Sequence, residues 1–354
     1  MQGNVAESKT KPAKSASDVK IVNLALQGGG SHGSFTWGVL DRLLEEERLG
    51  FEGITATSAG AMNASVFAYG YALGGREGAR VKLAEFWKRI SDAAAKGPLQ
   101  PSWWDKQTKN WSLDNSPAFL MMDIVSRLMS PYEFNPTNAN PLRDVLLESV
   151  DFDLLRTTDS PIKLFLSATN VRTGKVKLFD KKEISVDACL ASACLPFMFH
   201  AVEIDGEAYW DGGYMGNPAL FPLIYHCESP DVVICHINPL ERPELPKTAK
   251  DILNRINEIS FNSSLMREMR AISFVTSLID SGKLNPEGMK RLLVHSISGE
   301  SELLKVGATS KLNADWDFLT HLFKAGRTYA DKWLKKNWDS INVKSSVNIH
   351  DQYL

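Results

Sequence analysis

Cysteine is scarce in this sequence. The chain has 4 cysteines in 354 residues, at positions 189, 194, 227 and 235. That number is too small for a disulfide scaffold, and the spacing matches no metal-binding motif. We therefore expect reduced thiols in the core, with no structural metal site.

Long apolar runs and an excess of charge of one sign are also missing. No apolar run approaches the roughly 20 residues that a membrane span needs. Residues 1–20 are rich in Lys, Ser and Ala and lack the apolar core of a secretory signal, so we predict a disordered tail there. The net charge of -2 gives no reason to expect a nucleic-acid partner. We expect a cytoplasmic protein, with peripheral membrane contact left open.

Strand and helix patterns alternate along the chain. An apolar run at 21–26 ends in glycines, an amphipathic helix follows, and a second strand at 54–57 leads into a small-residue helix at 59–66. This alternation is typical of an α/β fold with helices on both faces of a sheet. Further strands are predicted at 162–168, 176–179, 202–204, 207–209, 231–237 and 291–297, and further helices at 187–193, 250–279 and 315–335.

The segment 98–136 differs in composition from the rest, and we predict a cap or an insertion there. It contains several prolines and a group of large apolar residues, Trp103, Trp104, Trp111, Met121 and Met122. Such residues suit a lipid-facing cap, because Trp favours the membrane interface and Met adapts to chains of varied shape. The alternative, which we favour, is ordinary packing beneath an insertion.

A glycine-rich turn at 28–33 allows two interpretations. It matches G-x-G-x-x-G between a strand and a helix, as in dinucleotide-binding folds. That fold also needs an acidic residue at the end of the second strand, whereas Glu52 precedes the strand and Ser58 follows it. We therefore favour an oxyanion hole, in which the turn presents backbone N–H groups to a developing negative charge. The candidate donors are Gly28, Gly29 and Gly30.

Ser58 lies in a second turn, directly after the strand at 54–57. The stretch from Ala56 to Gly60 nearly matches G-x-S-x-G, the strand-to-helix elbow that exposes a serine hydroxyl. Ala56 stands where the motif has glycine, but it is still small enough for strand and helix to pass closely. A serine that only caps a helix is the alternative interpretation.

Asp211 is the candidate base for this serine. It precedes Gly212 and Gly213, and such a sequence often forms a simple turn. A nucleophilic serine, however, needs a base within hydrogen-bond reach. The histidines that follow Asp211 are His226, His236, His295, His321 and His350. The three in apolar strands or on a helix face, His236, His295 and His321, are better explained as packing residues. A carboxylate base alone would need only Asp211.

The three turns together resemble the patatin-like phospholipase family. Its pattern is a glycine-rich oxyanion loop, then G-x-S-x-G, then D-G-G/A, with a Ser/Asp dyad and no catalytic histidine. The order and spacing of 28–33, 56–60 and 211–213 are similar to this pattern. The stretch 191–218 also looks like the family's approach to its aspartate, and the resemblance covers roughly 21–237.

The resemblance implies a three-layer α/β/α domain with a mainly parallel central sheet at 21–240. A helical C-terminal part at 241–354 would pack on the same domain. It also implies hydrolysis of lipid acyl esters through an acyl-enzyme, without a metal or an organic cofactor. The residues implied are the nucleophile Ser58, the base Asp211, the oxyanion donors Gly28, Gly29 and Gly30, and the supporting glycines Gly33, Gly60, Gly212 and Gly213.

Two departures from the family pattern affect this expectation. His32 stands where the family's loop commonly has Arg or Lys, and Ala56 replaces the first glycine of the elbow. Neither change removes the nucleophile or the base, but His32 puts in doubt a fixed positive charge for a phosphate head group. A lipid transacylase with the same residues and a non-catalytic lipid- or dinucleotide-binding protein remain alternatives.

Overall fold

The computed structural model describes residues 19–284 and 289–354. Residues 1–18 of the predicted tail lie outside this range, whereas Lys20 begins the first strand. The strands are β1 (Lys20–Leu26), β2 (Leu49–Ala56), β3 (Lys163–Asn170), β4 (Val176–Asp180), β5 (Val202–Ile204), β6 (Glu207–Asp211), β7 (Asp231–His236) and β8 (Leu293–Ser298).

Helices occupy most of the intervening chain. They are α1 (Gly33–Leu44), α2 (Ala59–Ala95), α3 (Trp103–Thr108), α4 (Pro117–Leu128), α5 (Pro131–Phe134), α6 (Pro141–Ser149), α7 (Phe152–Thr157), α8 (Val186–Ser192), α9 (Phe221–His226), α10 (Ala249–Asp280), α11 (Glu300–Leu303), α12 (Trp316–Asn337) and α13 (Ile349–Tyr353). Helix α2 is interrupted at Gly74 and Gly75, where the backbone leaves helical geometry.

The strands form one mixed sheet in the order β5-β6-β3-β2-β1-β7-β8, with β4 paired to β3. The central strands β3, β2, β1, β7 and β8 run parallel. The pairs β3–β4, β3–β6 and β5–β6 are antiparallel. The carboxyl ends of β1, β2 and β7 therefore meet at one edge of the sheet, where an open α/β sheet binds its ligands.

Side chains of the central strands alternate between two apolar clusters, as the two-residue period of a strand requires. On β1, Leu24 and Leu26 belong to one cluster and Ala25 to the other. The first cluster includes α1, α2 and α12, and the second includes α9 and α10. The three-layer α/β/α fold with a mainly parallel sheet is confirmed.

The C-terminal part contributes to both helical layers and to the sheet. Strand β8 extends the sheet beside β7. Helix α12 packs so closely on α1 that a β-carbon on Gly38 would collide with the Phe323 carbonyl, and one on Gly326 with that of Phe35. How the chain divides into domains stays a prediction, but residues beyond 240 are in direct contact with the elements that carry the glycine turn.

Most predicted strands and helices lie where the sequence placed them. Strand β2 begins at Leu49, five residues before the predicted start. The prediction missed this part of the strand because Gly50 and Glu52 interrupt its apolar pattern. In the structure Gly50 pairs with β1, and the Glu52 carboxylate accepts from the N–H of Ser229. The four cysteines are free and buried, as predicted. No helix in the described part of the chain is long and apolar enough to cross a membrane.

The segment 98–136 forms the short helices α3, α4 and α5. The preferred interpretation, ordinary packing, is wrong for Trp103 and Trp104, whose side chains are 71% and 65% exposed. It holds for Trp111, which stacks on Phe318 and His321. The sequence alone did not distinguish the exposed tryptophans from the packed one, because tryptophan occurs both in lipid-facing segments and in the core.

Candidate active site

Ser58 lies in the tight turn between β2 and α2. Its backbone has φ 53° and ψ −123°, a conformation that residues with a side chain rarely adopt. Its N–H donates to Oγ of Ser192 at 2.9 Å. A non-glycine residue held in this conformation at a strand-to-helix junction is the geometry of a nucleophile elbow.

Two backbone segments pass so close to this turn that they leave no room for a β-carbon. A β-carbon on Gly28 would lie 2.6 Å from that of Ser58, and one on Gly60 would collide with the Leu26 carbonyl. The glycine turn and the start of α2 therefore pack directly against Ser58. The small residues that the sequence shows here are required by this contact.

Asp211 ends β6 and contacts Ser58. Its carboxylate accepts a hydrogen bond from the N–H of Gly213 at 2.7 Å, and the Ser58 hydroxyl faces the same carboxylate in one cavity. The residue is 2% exposed. Burial raises the pKa of Asp211 to about 6, against the opposing effects of the Gly213 N–H, the Ser58 hydroxyl and the Lys311 charge. A carboxyl group with this pKa is ionised at neutral pH and still basic enough to accept a proton.

The remaining predicted glycines lie at close contacts around these two side chains. A β-carbon on Gly33 would lie 2.9 Å from that of Ala59 at the start of α2. One on Gly212 would collide with the Ser167 carbonyl, and one on Gly213 with the Phe261 ring. The structure thus brings the glycine turn, the serine turn and the Asp-Gly-Gly turn together at one edge of the sheet.

A network of buried amide side chains fixes the glycine turn. The Gly28 N–H donates to Oδ1 of Asn217 at 2.6 Å, and Nδ2 of Asn238 donates to the Gly28 carbonyl at 2.7 Å. Gln27 accepts from the N–H of Asn238 and donates to Oδ1 of Asn262. All four amide side chains are buried. Because Gly28 is bonded through both backbone groups, the turn is held in one conformation.

The hydrogen bonds of this network distinguish Gly28 from the other two predicted oxyanion donors, Gly29 and Gly30. The N–H of Gly28 is occupied by Asn217. Within residues 19–284 and 289–354, the N–H groups of Gly29 and Gly30 donate to no protein acceptor. These two groups are thus available to a ligand, whereas Gly28 provides the close approach to Ser58.

A cavity of about 300 Å³ opens onto Ser58 and Asp211. Its apolar wall includes Met62, Phe86, Trp87, Ile90, Leu142 and Leu195. Of the described residues that line it, Asp211 and Lys311 are the ones that carry a charge, and none is a histidine. An apolar cavity with a few convergent polar groups at one end is typical of a site for a small apolar ligand or chain.

The histidines that were weighed as bases lie elsewhere. Nε2 of His236 bonds the Tyr353 hydroxyl at 2.6 Å, and Nε2 of His295 bonds Asp231 at 2.8 Å. His321 stacks on Trp111. Each side chain has a packing or hydrogen-bond partner away from Ser58.

Sequence reasoning missed Lys311, Asn238 and Ser192 as parts of this site. Lys311 follows Asp211 by 100 positions and lies in a 3-10 turn, Ala308–Leu312, that carries no motif. Asn238 and Ser192 gave a weak signal, because each is a polar residue at the end of an apolar strand or helix. Their roles depend on contacts between distant segments.

No group of three His, Cys, Asp or Glu side chains that could hold a metal ion occurs among the residues that the structure describes.

Comparison with known proteins gives one family and a set of remote structures. No curated protein matches the sequence. VipD from Legionella pneumophila is 13% identical with a TM-score of 0.41, and the match covers 89% of this chain and 67% of that chain. The ExoU–SpcU complex from the type III secretion system of Pseudomonas aeruginosa is 13% identical with a TM-score of 0.38, covering 91% of this chain and 52% of that one.

The family model described as patatin-like phospholipase matches residues 24–224. This range is more than half of the chain and includes the glycine turn, Ser58 and Asp211. The chain belongs to the patatin-like phospholipase family.

Proposed function

We propose that this protein is a lipid acyl hydrolase in which Ser58 is the nucleophile and Asp211 the general base. The observation that carries the proposal is the placement of the Ser58 hydroxyl beside the buried Asp211 carboxylate, at the polar end of an apolar cavity. Family membership supports hydrolysis of lipid esters in general. The dyad and its chemistry are our inference from the geometry.

In the acylation step, Asp211 accepts the hydroxyl proton while Oγ of Ser58 bonds to the ester carbonyl carbon. The tetrahedral intermediate then collapses, its bond to the alcohol oxygen breaks, and the leaving alcohol takes the proton from Asp211. Water attacks the acyl-enzyme in the same way, with Asp211 again accepting and returning one proton. The products are a free fatty acid and an alcohol or lysolipid.

The negative charge that forms on the carbonyl oxygen needs donors already in position. Gly29 and Gly30 line the cavity beside Ser58, and their N–H groups are free of protein acceptors in the described part of the chain. One such donor contributes about 3 to 4 kcal/mol to the transition state in enzymes where it has been removed. We infer that Gly29 and Gly30 are the oxyanion donors.

The apolar wall of the cavity fits an acyl chain. Side chains such as Phe86, Ile90 and Leu142 offer contacts to methylene groups and no partner for a polar substituent. Burial of each CH₂ group stabilises the complex by about 0.8 kcal/mol. We therefore expect kcat/KM to rise with acyl chain length until the cavity is filled.

Active-site labelling tests the proposal. A fluorophosphonate reacts covalently with an activated serine, and we expect one adduct, mapped by peptide mass spectrometry to Ser58. Two serines line the cavity, so Ser31 provides the matched control. Ser58→Ala should abolish labelling and hydrolysis of p-nitrophenyl esters, whereas Ser31→Ala should still be labelled. An adduct on Ser31, or hydrolysis by Ser58→Ala above a few per cent of the wild-type rate, would contradict the mechanism.

A further inference from the structure

The positive charge of this site comes from outside the segment that matches the family model. Lys311 lines the cavity together with Ser58 and Asp211, although it lies 87 residues after the end of the match at 224. Its Nζ donates to Oδ1 of Asn238 at 2.8 Å. The same asparagine donates to the carbonyl of Gly28, so one side chain connects the ammonium group to the oxyanion turn.

The turn that carries Lys311 packs on the glycine turn. A β-carbon on Gly30 would collide with the Lys311 carbonyl, so the two backbones are in contact. Nε2 of His32 lies 2.7 Å from Oγ of Ser310, and the Ser310 hydroxyl donates to the Gly307 carbonyl. Since that hydroxyl proton is engaged, we infer that His32 donates to Ser310.

His32 itself supplies no charge. Burial, helped by the Lys311 charge, lowers the pKa of His32 to about 3, so the imidazole is neutral at pH 7. The position at which the family commonly has a basic residue is therefore occupied by a neutral side chain that holds the Lys311 turn.

We propose that Lys311 is a positioning residue of the Ser58–Asp211 site, and that its ammonium charge stabilises the Asp211 carboxylate and the oxyanion formed beside Gly29 and Gly30. This inference rests on the proposed function. It assigns to a C-terminal lysine a charge that the loop residue His32 lacks.

The surroundings of Lys311 contain charges of both signs. Burial lowers the pKa of Lys311 and Arg242 adds to this effect, whereas Glu258 and Asp211 oppose it. Glu258 is also paired with Arg242 at 2.6 Å. The other titratable groups that face Asp211 are neutral at pH 7, because burial raises the pKa values of Cys194 and Tyr214 to about 12. Besides Asp211, the charged groups that act on Lys311 are Glu258 and Arg242.

The test uses Lys311→Gln, which keeps an N–H donor for Asn238 but no charge, and Lys311→Arg, which keeps the charge. With a neutral short-chain ester we expect Lys311→Gln to lower kcat about 10- to 100-fold. This is less than the roughly 100- to 1000-fold loss of one oxyanion donor, because a charge acting at a distance stabilises the oxyanion less than a direct hydrogen bond. KM should change little. The rise of kcat/KM with pH should shift to higher pH, because the ammonium lowers the pKa of Asp211 in the wild type.

Lys311→Arg should restore most of kcat, and its kcat/KM should rise with pH over the same range as in the wild type. It should also move any fall in activity at alkaline pH to higher pH, since guanidinium keeps its proton. Circular dichroism and the melting temperature check folding, and Lys311→Met is the second uncharged variant if Lys311→Gln is unstable.

Three results would overturn the inference. One is an unchanged pH profile and kcat in Lys311→Gln. Another is a loss confined to esters with an anionic head group, which would make Lys311 a head-group contact. The third is a Lys311→Arg variant that is as inactive as Ser58→Ala. That result would make the lysine itself the base.

A readout without turnover separates this inference from the proposed function. The Asp211 carboxyl can be titrated by ¹³C NMR, assigned by comparison with Asp211→Asn. If the wild type hydrolysed no ester, the proposed function would fail. An upward shift of the Asp211 titration in Lys311→Gln would still support the charge coupling, and an unchanged titration would refute it.

Discussion

The floor of the cavity and the segment 98–136 use similar residues in opposite ways. Trp87 on α2 is 3% exposed, stacks on Trp37, and donates from Nε1 to Asn63 at 2.9 Å. Trp103 and Trp104 on α3 are mostly exposed and contact each other. Near Ser58, side chains are fixed by buried partners on several elements, whereas the outer segment presents large apolar side chains to solvent.

This contrast indicates that the two regions tolerate amino-acid substitutions differently. In the cavity floor, polar groups such as the Gly28 N–H and the Trp87 Nε1–H have specific buried partners, so substitution of a partner leaves a buried group unsatisfied. On the outer segment, exposed apolar side chains such as Leu128, at 79% exposure, lose little packing when truncated. The predictions below test this contrast, from the largest expected effect to the smallest.

Asp211→Asn should have the largest effect. The substitution preserves the shape of the side chain and an oxygen for the Gly213 N–H, but it removes the base. Loss of a general base lowers the rate by roughly 10²- to 10⁴-fold. Adding Ser58→Ala should cost little more, because members of one catalytic unit act non-additively.

The wild-type pH profile is the companion measurement. Since burial raises the pKa of Asp211 to about 6, kcat/KM should rise with pH through about pH 6 and level off above it. Below that pH the carboxyl is protonated and cannot accept the Ser58 proton. A profile that is flat between about pH 5 and 7 would speak against Asp211 as the base.

Asn217→Ala should have an intermediate effect. It removes the acceptor of the Gly28 N–H and leaves that buried group unsatisfied, which costs about 1 to 3 kcal/mol in the free energy of unfolding. Because the glycine turn would relax, we also expect kcat to fall about tenfold, part of the loss seen when an oxyanion donor is removed.

Asn262→Ala is the matched control for this prediction. Asn262 belongs to the same amide network, accepts from Gln27 and donates to the Pro239 carbonyl, but in the described part of the chain it makes no hydrogen bond to residues 28–33. It should show a similar fall in melting temperature with a smaller fall in kcat. Equal losses of kcat in the two variants would mean that the network acts on stability alone.

Truncation of Trp103 and Trp104 should have the smallest effect. As surface residues, each should change the free energy of unfolding by no more than about 0.5 kcal/mol when replaced by Ala, whereas Trp87→Ala should cost about 3 to 5 kcal/mol. Hydrolysis of a short soluble ester should be unchanged in the double variant. We predict a severalfold loss on long-chain lipid in liposomes, because Trp favours the membrane interface.

Tryptophan fluorescence checks the cause of that loss. A lipid-facing segment should give a blue shift of the wild-type emission on addition of liposomes, and the double variant should reduce it. Equal activity of the variant on both substrates, without a spectral shift, would leave the segment with a purely structural role.

The sequence predicted the local parts of the site better than the distant ones. Ser58, Asp211 and the glycines were found because each lies in a turn whose residue types are dictated by local backbone geometry. The α/β fold in which they meet was expected from the alternation of strands and helices. Their joint catalytic role stays a proposal.

The contacts that hold the site were not predictable from local patterns. Asn217 bonds Gly28 across 189 residues, and His32 bonds Ser310 across 278. No periodicity or spacing encodes such pairs. The exposure of Trp103 and Trp104 was missed for a related reason, since burial depends on what the rest of the chain places over a segment.

The contact between His32 and Ser310 has a consequence for synthesis of the protein. The Ser58 turn is synthesised before the turn that carries Lys311, in which Ser310 follows His32 by 278 residues. At roughly 5 to 20 residues per second, this delay is about 14 to 56 s. During that interval the nascent chain holds its serine without the lysine, so the complete site forms only after Lys311 has been added to the chain.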